Sequence, residues 1–586
     1  MVTLFGILDI GARGLFAQQR ALNTTGHNIA NATTPGYSRQ RVNMVSAYPL
    51  LERPGPLGTG VEVVSVERMR DAFLDGQIRT QLSLFGFFST ASGGYDQLET
   101  ILAEPLNPVA GALDNPEATG LNAILQRFFD AFHELSLSPE SSSARTSVVQ
   151  TAITATETFN NLAQQLAQQR RDTNDAIKLK IDEINLKLQE IADLNRQIAR
   201  IEVDGQSHAN DLRDKRDQAL ADLSQMTPLR TTENPDGSVN VAILGVNVIS
   251  GVNLTTTLEA VVTPDDPNAF YSVVFSKERS RVLNTLFESG ELGALLALRD
   301  DITPRFQERL DTLAAALIEQ VNRLHAGGSG LSKFTLLRSQ NAVSSASVAL
   351  ANAGLPASIN AGQFQIVVED ANGVAQGRYN IALDPGVDTL ASLAAAIDAA
   401  DGVVGGGPLS AQLVGNQLEI SSASGLTFRF EGDTSGVLGA LGLNTFFTGT
   451  DATTIAVAGD IVANPSRIAH SADGTPGNVD NAIAIAQLAG RPILDNGTAD
   501  FRAYNRSTLS ILGIESRRVS ELALNTDALV TELAARQESL AGVSLDEEAV
   551  NLIRFQQAFN GSARFITAVD QMIDNVVNGM GLVGIV

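Results

Sequence analysis

The sequence contains no cysteine and no tryptophan among its 586 residues. The absence of cysteine excludes disulfide bonds, thiolate catalysis and zinc sites with cysteine ligands. The five histidines are scattered, with no pair four residues apart, and neither a phosphate-binding glycine loop nor a GxSxG nucleophile motif is present. The sequence therefore predicts no catalytic residue, no metal site and no cofactor, and we expect that the protein is not an enzyme.

Positive charge and long apolar runs are also scarce. Lys and Arg number 41 against 65 Asp and Glu, which gives a net charge of −24. A chain this acidic repels nucleic acid and anionic membrane surfaces, so we expect neither as a partner. No stretch has the uncharged apolar length needed to span a bilayer. The N-terminus lacks a basic region and Asp9 interrupts its one apolar run, so we expect no cleaved signal peptide.

The C-terminal segment 541–586 has the most regular pattern in the chain. Ser544 and Glu547 have the spacing of a capping box, which predicts a helix that begins there. Large apolar residues then recur with coiled-coil spacing, which requires a partner helix, and only Glu548 and Ser562 interrupt the pattern. These apolar residues are Leu545, Leu552, Phe555, Phe559, Ile566, Val569, Ile573, Val576 and Met580.

The expected partner is the N-terminal segment 1–40. Its apolar positions follow the same spacing more loosely, with Gln18 and Thr25 as interruptions. These positions are Leu4, Leu8, Gly11, Leu15, Leu22 and Ile29. Gly11 and Gly14 would let a second helix approach closely, but each glycine weakens a helix by about 1 kcal/mol relative to alanine. We therefore expect this helix to be unstable without its partner, and both chain ends to be disordered in the isolated monomer.

Each terminal segment also carries a polar motif. The first begins at Asn28 and ends in the turn Thr34-Pro35-Gly36-Tyr37, which should stop the helix because proline disfavours a helical residue before it. The second is Ser544-Leu545-Asp546-Glu547-Glu548, followed by Asn551-Leu552 and by Arg554-Phe555-Gln556-Gln557-Ala558-Phe559. The two motifs together resemble the paired terminal signatures of flagellar axial proteins, which include rod, hook and hook–filament junction proteins.

The region 119–326 is predicted to be a helical body that includes a small β-hairpin. A run of Ile and Leu with coiled-coil spacing has Asn195 at a core position, where it would either fix the register or face a third helix or water. We interpret the charged run Asp211–Leu220 as a solvated helix face with pairs four residues apart. The sequence Asn234–Gly237 predicts a hairpin turn, and Pro304 predicts a kink or break in a helix.

Composition sets the remaining boundaries. Residues 41–118 form a connector with a strand and a helix, and Gly327–Gly330 is interpreted as a linker. Residues 331–457 have strand patterns and glycine-rich turns, which predict an α+β domain inserted on the surface. Residues 458–540 return to helical patterns. The expected fold class is therefore a multidomain, mainly α protein with an inserted β-rich or α+β domain.

The segment Gly290–Asp300 and the long helical body resemble the hook-associated protein 1 family, whereas hook and rod proteins have mainly β bodies. This resemblance implies a structural role at the hook–filament junction of the extracellular flagellum, after type III export without cleavage. The implied partners are further copies of the chain in a ring, the hook protein, a second junction protein, and a dedicated export chaperone at the C-terminal helix. Two alternatives stay open: another axial protein such as a hook protein, and a secreted enzyme whose active domain is the 331–457 insertion.

The resemblance also implies an assembly interface on the terminal segments. Its expected residues on the N-terminal side are Leu8, Leu15, Leu22, Ile29, Asn31, Pro35, Gly36 and Tyr37. Its expected residues on the C-terminal side are Leu545, Leu552, Phe555, Phe559, Ile566, Val569, Ile573 and Val576.

Overall fold

The computed structural model describes residues 4–51, 55–102, 120–203, 207–263, 268–400, 402 and 407–579. The helices are α1 Leu4–Ala30, α2 Ala72–Leu102, α3 Leu121–Leu137, α4 Ser142–Ile201, α5 Asn210–Met226, α6 Gly290–Ala297, α7 Thr303–Ala326, α8 Leu390–Asp398, α9 Val437–Leu441, α10 Gly459–Ala463, α11 Asp480–Gln487, α12 Phe501–Ala541 and α13 Leu545–Gly579. The predictions for the side chain of Leu4, for connector residues 103–118 and for Met580 lie outside the described residues.

The strands are short and pair with neighbours close in the sequence. They are β1 Gln40–Ser46, β2 Leu50–Leu51, β3 Pro56–Leu57, β4 Val61–Arg68, β5 Leu229–Glu233, β6 Val239–Ile243, β7 Val246–Ser250, β8 Asn253–Leu254, β9 Leu258–Val262, β10 Tyr271–Phe275, β11 Leu336–Arg338, β12 Gly362–Asp370, β13 Ala375–Leu383, β14 Leu409–Val414, β15 Gln417–Ser422, β16 Leu426–Glu431, β17 Phe447–Thr448 and β18 Ala456–Val457. Most of the fold is helix with several small sheets, which confirms the predicted mainly α fold class.

The chain divides into two compact units. The first comprises 1–94, 171–299 and 517–586, and the second comprises 95–170 and 300–516. In the first unit, β1 pairs with β4 in antiparallel register, and β5 to β8 form a four-stranded antiparallel sheet. The Asn234–Gly237 turn between β5 and β6 is the predicted hairpin, with Gly237 at a positive φ of 77° that favours glycine. The core packs α4 and α5 against this sheet.

The buried face of α4 in the first unit confirms the predicted apolar spacing. The residues Ile177, Ile181, Ile184, Leu188, Ile191 and Ile198 are all buried. Asn195 is also fully buried, and its Oδ1 accepts from Arg216 Nη1 of helix α5 at 3.4 Å, which agrees with the alternative that it faces a further helix; a role in the register stays a prediction. Its Nδ2 donates to the carbonyls of Val239 and Gly251, both at 2.8 Å, and its Oδ1 accepts from the N–H of Val239 at 3.2 Å. These hydrogen bonds give both ends of the buried amide a partner, as burial requires. They also link α4 to the backbone of the hairpin strands.

The predicted break at Pro304 is confirmed. Helix α6 ends at Ala297, a π-helical turn covers Leu298–Ile302, and Pro304 lies in the first turn of α7. Proline is tolerated there because the first N–H groups of a helix have no intrahelical acceptor.

The second unit has two apolar centres. One centre lies under the sheets formed by β11 to β16, together with α8 and α9. The other is aromatic: the ring centroid of Phe128 of α3 lies 5.9 Å from that of Phe446 and 5.5 Å from that of Phe447 in the 331–457 segment, and the Phe132 centroid lies 5.5 Å from that of Phe446. The last part of that segment thus contributes to a core built on helices. The α+β domain 331–457 itself stays a prediction.

The interpretation of Gly327–Gly330 as a linker was wrong. Ser329 exchanges backbone hydrogen bonds with Ser471, at 2.8 and 3.1 Å. A Cβ added at Gly328 would lie 2.4 Å from the Asn481 side chain, and one at Gly330 would lie 2.6 Å from a backbone oxygen. These glycines are required by close packing, which a composition argument cannot distinguish from flexibility.

A buried histidine joins the segments of the second unit. His325 Nε2 accepts from the N–H of Ala469 at 3.0 Å, so Nδ1 carries the proton and donates to the carbonyl of Asn444 at 2.8 Å. Burial lowers the pKa of His325 from 6.5 to about 4. The neutral ring is therefore the form that the fold requires.

We predict that acid destabilises the second unit through His325. The unfolded chain binds a proton below its pKa of 6.5, while the folded chain does not until about pH 4, so stability falls as the pH falls between these values. The loss is on the order of 3 kcal/mol. Hydrogen exchange in α7 between pH 7 and pH 4 measures it. His325→Gln should flatten the pH dependence, whereas His133→Gln, at an exposed position, should retain it. An unchanged slope in His325→Gln contradicts the assignment.

Candidate assembly interface at the paired termini

Helices α1 and α13 pack against each other along their lengths, which confirms the predicted pairing of the chain ends. A Cβ added at Gly11 would lie 2.8 Å from Ile566 Cγ1, and one at Gly14 would lie 3.1 Å from Ser562 Oγ. Near the other end of α1, Asn28 contacts Glu548. The residue numbers of the contacts decrease along α13 as they increase along α1, so the two helices are antiparallel.

The face of α1 that is buried consists of small and polar residues. These are Gly11, Ala17, Ala21, Thr25 and Asn28. The predicted positions Leu8, Leu15, Leu22 and Ile29 are only half-buried, beside this row. Thr25, which was read as an interruption of the pattern, is 3% exposed. Small residues allow the two backbones to approach closely, so the contact depends on shape and the larger leucines flank it.

On α13 the predicted apolar positions fall into three groups. Val569 is 1% exposed and therefore buried. The half-buried positions are Leu552, Phe555, Phe559, Ile566 and Ile573. Leu545 and Val576 are 55% and 42% exposed, so neither lies within the contact with α1. The predicted spacing is correct over the middle of the helix and fails at both ends.

Glu548 was interpreted as a break in the apolar pattern and is instead 2% exposed. Its Oε1 accepts from Arg39 Nε at 2.8 Å, and its Oε2 accepts from Asn28 Nδ2 at 3.2 Å. Burial lowers the pKa of Arg39, but hydrogen bonds and charges from Glu548 and Glu547 outweigh it, so the net pKa is raised. The buried carboxylate is thus fully paired, as a charge removed from water must be.

The N-terminus of α13 is capped, although only half of the predicted capping box forms. Ser544 Oγ accepts from the N–H of Glu547 at 3.4 Å. The carboxylate of Glu547 instead accepts from Arg39 Nη1 at 2.7 Å. Arg39, which follows α1, therefore contacts two successive carboxylates in the first turn of α13. The helix dipole also stabilises negative charge at this position.

Asn28 is the centre of the turn that follows α1. Its Oδ1 accepts from the N–H of Gln40 at 3.0 Å and from the Tyr37 hydroxyl at 2.7 Å, while its Nδ2 donates to the Gln40 carbonyl at 2.9 Å. Burial, together with the charges of Asp211, Asp214 and Glu548, raises the pKa of Tyr37 above 10.0. The hydroxyl therefore stays protonated and able to donate.

The other motif residues shape the same turn. The N–H of Tyr37 donates to the Thr34 carbonyl at 3.2 Å, which encloses Pro35 and Gly36 at the two central positions. Gly36 has a φ of 77°, as the third residue of a type II turn requires. Asn31 lies just beyond the end of α1, and its Nδ2 donates to the His27 carbonyl at 3.0 Å, which adds a second hydrogen bond to an oxygen that already accepts from the Asn31 N–H at 3.1 Å.

The interpretation of Asp211–Leu220 as a solvated face was wrong for its central residues. Asp214 and Asp217 are buried, at 6% and 9% exposure. Asp214 accepts from the N–H and the hydroxyl of Ser38, at 2.9 and 2.8 Å. Arg68 Nη1 lies 2.7 Å from Asp214 and 2.9 Å from Asp217. Burial raises the pKa of Asp217, but Arg70 and Arg68 outweigh it and the net pKa is lowered. The charged run of α5 thus holds the turn after α1.

The described residues contain no group of three or more histidine, aspartate or glutamate side chains placed to hold a metal ion. In the same part of the chain, no helix combines the length and apolarity that a bilayer span requires.

We predict that two neighbouring glutamates differ sharply in importance. Glu548→Ala leaves Arg39 without its buried partner and should destabilise the α1–α13 contact by about 3 kcal/mol. Glu547→Ala, whose side chain is 63% exposed, should cost at most about 1 kcal/mol. Hydrogen exchange of residues 4–30 measures both. Equal effects of the two substitutions would show that the Glu548 contacts do not hold the pair.

A second prediction tests the close approach of the helices. Gly11→Leu places a side chain where Ile566 and Phe565 already lie, so α1 should lose its protection from hydrogen exchange. Gly26→Leu is the matched control, because no atom lies within 4 Å of a Cβ there. The control should strengthen α1 by about 0.8 kcal/mol through helix propensity alone. The antiparallel contact is incorrect if Gly11→Leu also strengthens α1.

Comparison with sequence families gives three matches along the chain. Residues 106–335 match the family described as flagellar hook-associated protein FlgK helical domain. Residues 8–37 match flagella basal body rod protein, and residues 537–579 match flagellar basal body rod FlgEFG protein C-terminal. The two rod matches coincide with α1 and α13, and the helical-domain match covers α3 to α7.

Two curated relatives cover nearly the whole chain. Flagellar hook-associated protein 1 of Bacillus subtilis (strain 168) is 27% identical over 100% of both chains. Flagellar hook-associated protein 1 of Escherichia coli (strain K12) is 27% identical over 98% of this chain and 99% of its own. Among solved structures, the flagellar hook junction protein FlgK from Burkholderia pseudomallei superposes with a TM-score of 0.52 at 16% identity, covering 79% of this chain and 100% of that one. The structural match establishes a common fold, and the full-length relatives and the helical-domain match lead to one conclusion: the chain is a full-length homologue of flagellar hook-associated protein 1.

Proposed function

We propose that this protein is a structural subunit of the hook–filament junction and that it assembles through the outer surface of the α1–α13 pair. The observation that carries the proposal is the large apolar area that the pair leaves in water. The exposed side chains on the two helices include Phe5, Phe16, Val550, Ile553, Phe565 and Met572, with exposures from 43% to 72%. Exposed apolar residues in this number are typical of protein–protein contacts.

We propose that the polar contacts within the pair fix its geometry before assembly, so that the chain ends are ordered in the monomer and not disordered as expected from the sequence. Arg39, Glu548 and Asn28 satisfy one another inside the chain, so they have no need of a partner subunit. Full burial of such a side chain from full exposure contributes about 1.5–3 kcal/mol, and these side chains, which are 43% to 72% exposed, would each gain the corresponding part of it. Summed over a ring of identical subunits, this gain offsets the loss of freedom on association. A further copy of the chain is therefore the first partner that we propose.

The remaining partners follow from the family. We propose that the ring lies on hook protein at one side and presents its other side to a second junction protein. Before assembly, an export chaperone would cover the exposed apolar residues of α13, which would otherwise promote aggregation. We also propose that the protein reaches the cell exterior through the flagellar export channel with its N-terminus uncleaved, and that its role is structural and not enzymatic.

The proposed interface includes the sixteen residues expected from the sequence, and we assign them two different tasks. Ile566, which lies against Gly11, and the buried Val569 are assigned to the pair itself. Leu545 and Val576, which are exposed, are available to neighbouring subunits. The turn residues Pro35 and Gly36 are exposed as well and lie beside the pair. The interface is therefore proposed as a composite of an internal contact and an external surface.

The same substitution at two positions separates these tasks. Ile566→Asp places a charge against Gly11 and should open the helix pair in the monomer. Ile553→Asp, at a position 56% exposed, should leave the pair intact by hydrogen exchange. In cells that lack the native hook-associated protein 1, both variants should be exported but should fail to support filaments, so that flagellin appears in the medium.

The conservative change Ile553→Val is the control and should restore swimming, because it keeps the apolar surface. Normal swimming with Ile553→Asp, at wild-type protein levels, would show that the outer face of α13 does not contact another subunit. Failure of Ile553→Val as well would point to a requirement at this position other than burial.

A further inference from the structure

A cleft lined by arginine lies in the first unit, between α5, the end of β4 and the first turns of α2. Its volume is about 410 Å³. The arginines that line it are Arg68, Arg70, Arg79, Arg213 and Arg216. Arg79 also lines two adjoining clefts, of about 380 and 820 Å³.

The carboxylates of the arginine cleft already have donors. Asp217 accepts from Arg68 at 2.9 Å and lies 3.3 Å from Arg70. Asp75 accepts from Arg70 Nε at 2.8 Å and from the Gln537 amide. Glu233 accepts from Arg213 Nη1 at 2.6 Å. Glu67, the fourth carboxylate that lines the cleft, accepts from the Ser65 hydroxyl at 2.6 Å, so each of the four has a donor among neighbouring side chains.

Two of the arginines keep donors that nothing in the described chain uses. Arg79 makes one hydrogen bond, from Nη2 to Thr231 Oγ1 at 3.3 Å, and no ion pair with a described carboxylate. Arg216 is 1% exposed, and its Nε has no hydrogen-bond partner among the described residues, since Asp217 Oδ1 lies 3.8 Å away. A guanidinium offers five N–H donors, so most of those on Arg79 are unused.

The charge of Arg79 is also poorly compensated. Burial lowers its pKa, Asp75 and Asp217 raise it, and the neighbouring charge of Arg70 lowers it further. A half-buried cation beside another cation is unfavourable unless an anion neutralises it. The arginine cleft thus contains surplus donors on Arg79, whose charge forms no ion pair with a described carboxylate although four carboxylates line the cleft.

We propose that the arginine cleft binds an oxyanion, phosphate-like or carboxylate-like, at the guanidinium of Arg79. Oxygen acceptors match the planar fork of a guanidinium and can take two N–H groups at once. The buried Arg216 lines the same space, so the bound anion would also reduce the unfavourable burial of that charge. This site is independent of the proposed junction role, because it requires no second copy of the chain.

The test compares the thermal unfolding of the full chain in chloride with that in phosphate at constant ionic strength. Phosphate should raise the midpoint by several degrees and the effect should saturate, because a ligand that binds only the folded state stabilises it by mass action. In Arg79→Gln the phosphate effect should disappear and the dissociation constant from calorimetry should rise at least about tenfold. In chloride, the same variant should be as stable as the parent or more stable, because an unmatched charge is removed.

The stability of Arg79→Gln in chloride, relative to the parent, distinguishes a ligand-binding role of Arg79 from a purely structural one. If Arg79 only supports Thr231, Arg79→Gln is less stable in both salts, and the proposal is wrong. Arg279→Gln is the control, since that arginine is exposed and paired with Glu259, and it should keep the full phosphate effect. A parallel titration with acetate distinguishes the two classes of anion. Saturable binding of acetate shows that the site accepts a carboxylate. Binding of phosphate alone restricts the site to tetrahedral anions. No saturable effect of either anion overturns the proposal.

Discussion

The buried carboxylate of Glu548 is the constraint on which the terminal region depends. Removing a carboxylate from water is unfavourable unless donors surround it, so α13 can occupy its position only when Arg39 and Asn28 are in place. Asn28 is oriented in turn by Tyr37 and Gln40. Ser38, which follows Tyr37 in the chain, donates its N–H and its hydroxyl to Asp214 of α5. A single network of hydrogen bonds therefore joins three parts of the chain that are distant in sequence.

This network explains why the first helix can be weak. Gly11 and Gly14 reduce its intrinsic stability, but they also allow α13 to approach within contact distance of its backbone. Small residues supply little apolar area, so the pair cannot rely on burial alone. The polar contacts near Asn28 compensate for this and, being directional, they also fix the register of the two helices. Shape and hydrogen bonding here perform the task that leucine performs in an ordinary coiled coil.

Sequence periodicity predicted the apolar elements and missed the polar ones. The buried isoleucines of α4, the hairpin at Asn234–Gly237 and the break at Pro304 were correct, because each signal is local. Glu548 and Asp214 were misread, since a charged residue has the same appearance in a sequence whether it is solvated or paired. Their partners lie 509 and 176 residues away, and only the folded chain identifies them. The prediction for Thr25 was wrong for a related reason, because a small polar residue buried at a helix contact looks in the sequence like an interruption of the apolar pattern.

The distribution of polar and apolar contacts in the α1–α13 pair is the reverse of a typical globular core. Charges and amides are satisfied inside the chain, whereas Phe5, Phe16 and Ile553 remain in water. A directional network tolerates few alternative geometries, so it suits the contact that must form in every subunit. Apolar surface is less demanding of geometry and its contribution grows with the buried area, so it suits the contacts between copies that we propose. In that proposal the polar network supplies specificity within the subunit and the apolar surface supplies affinity between subunits, as the physical character of each kind of contact requires.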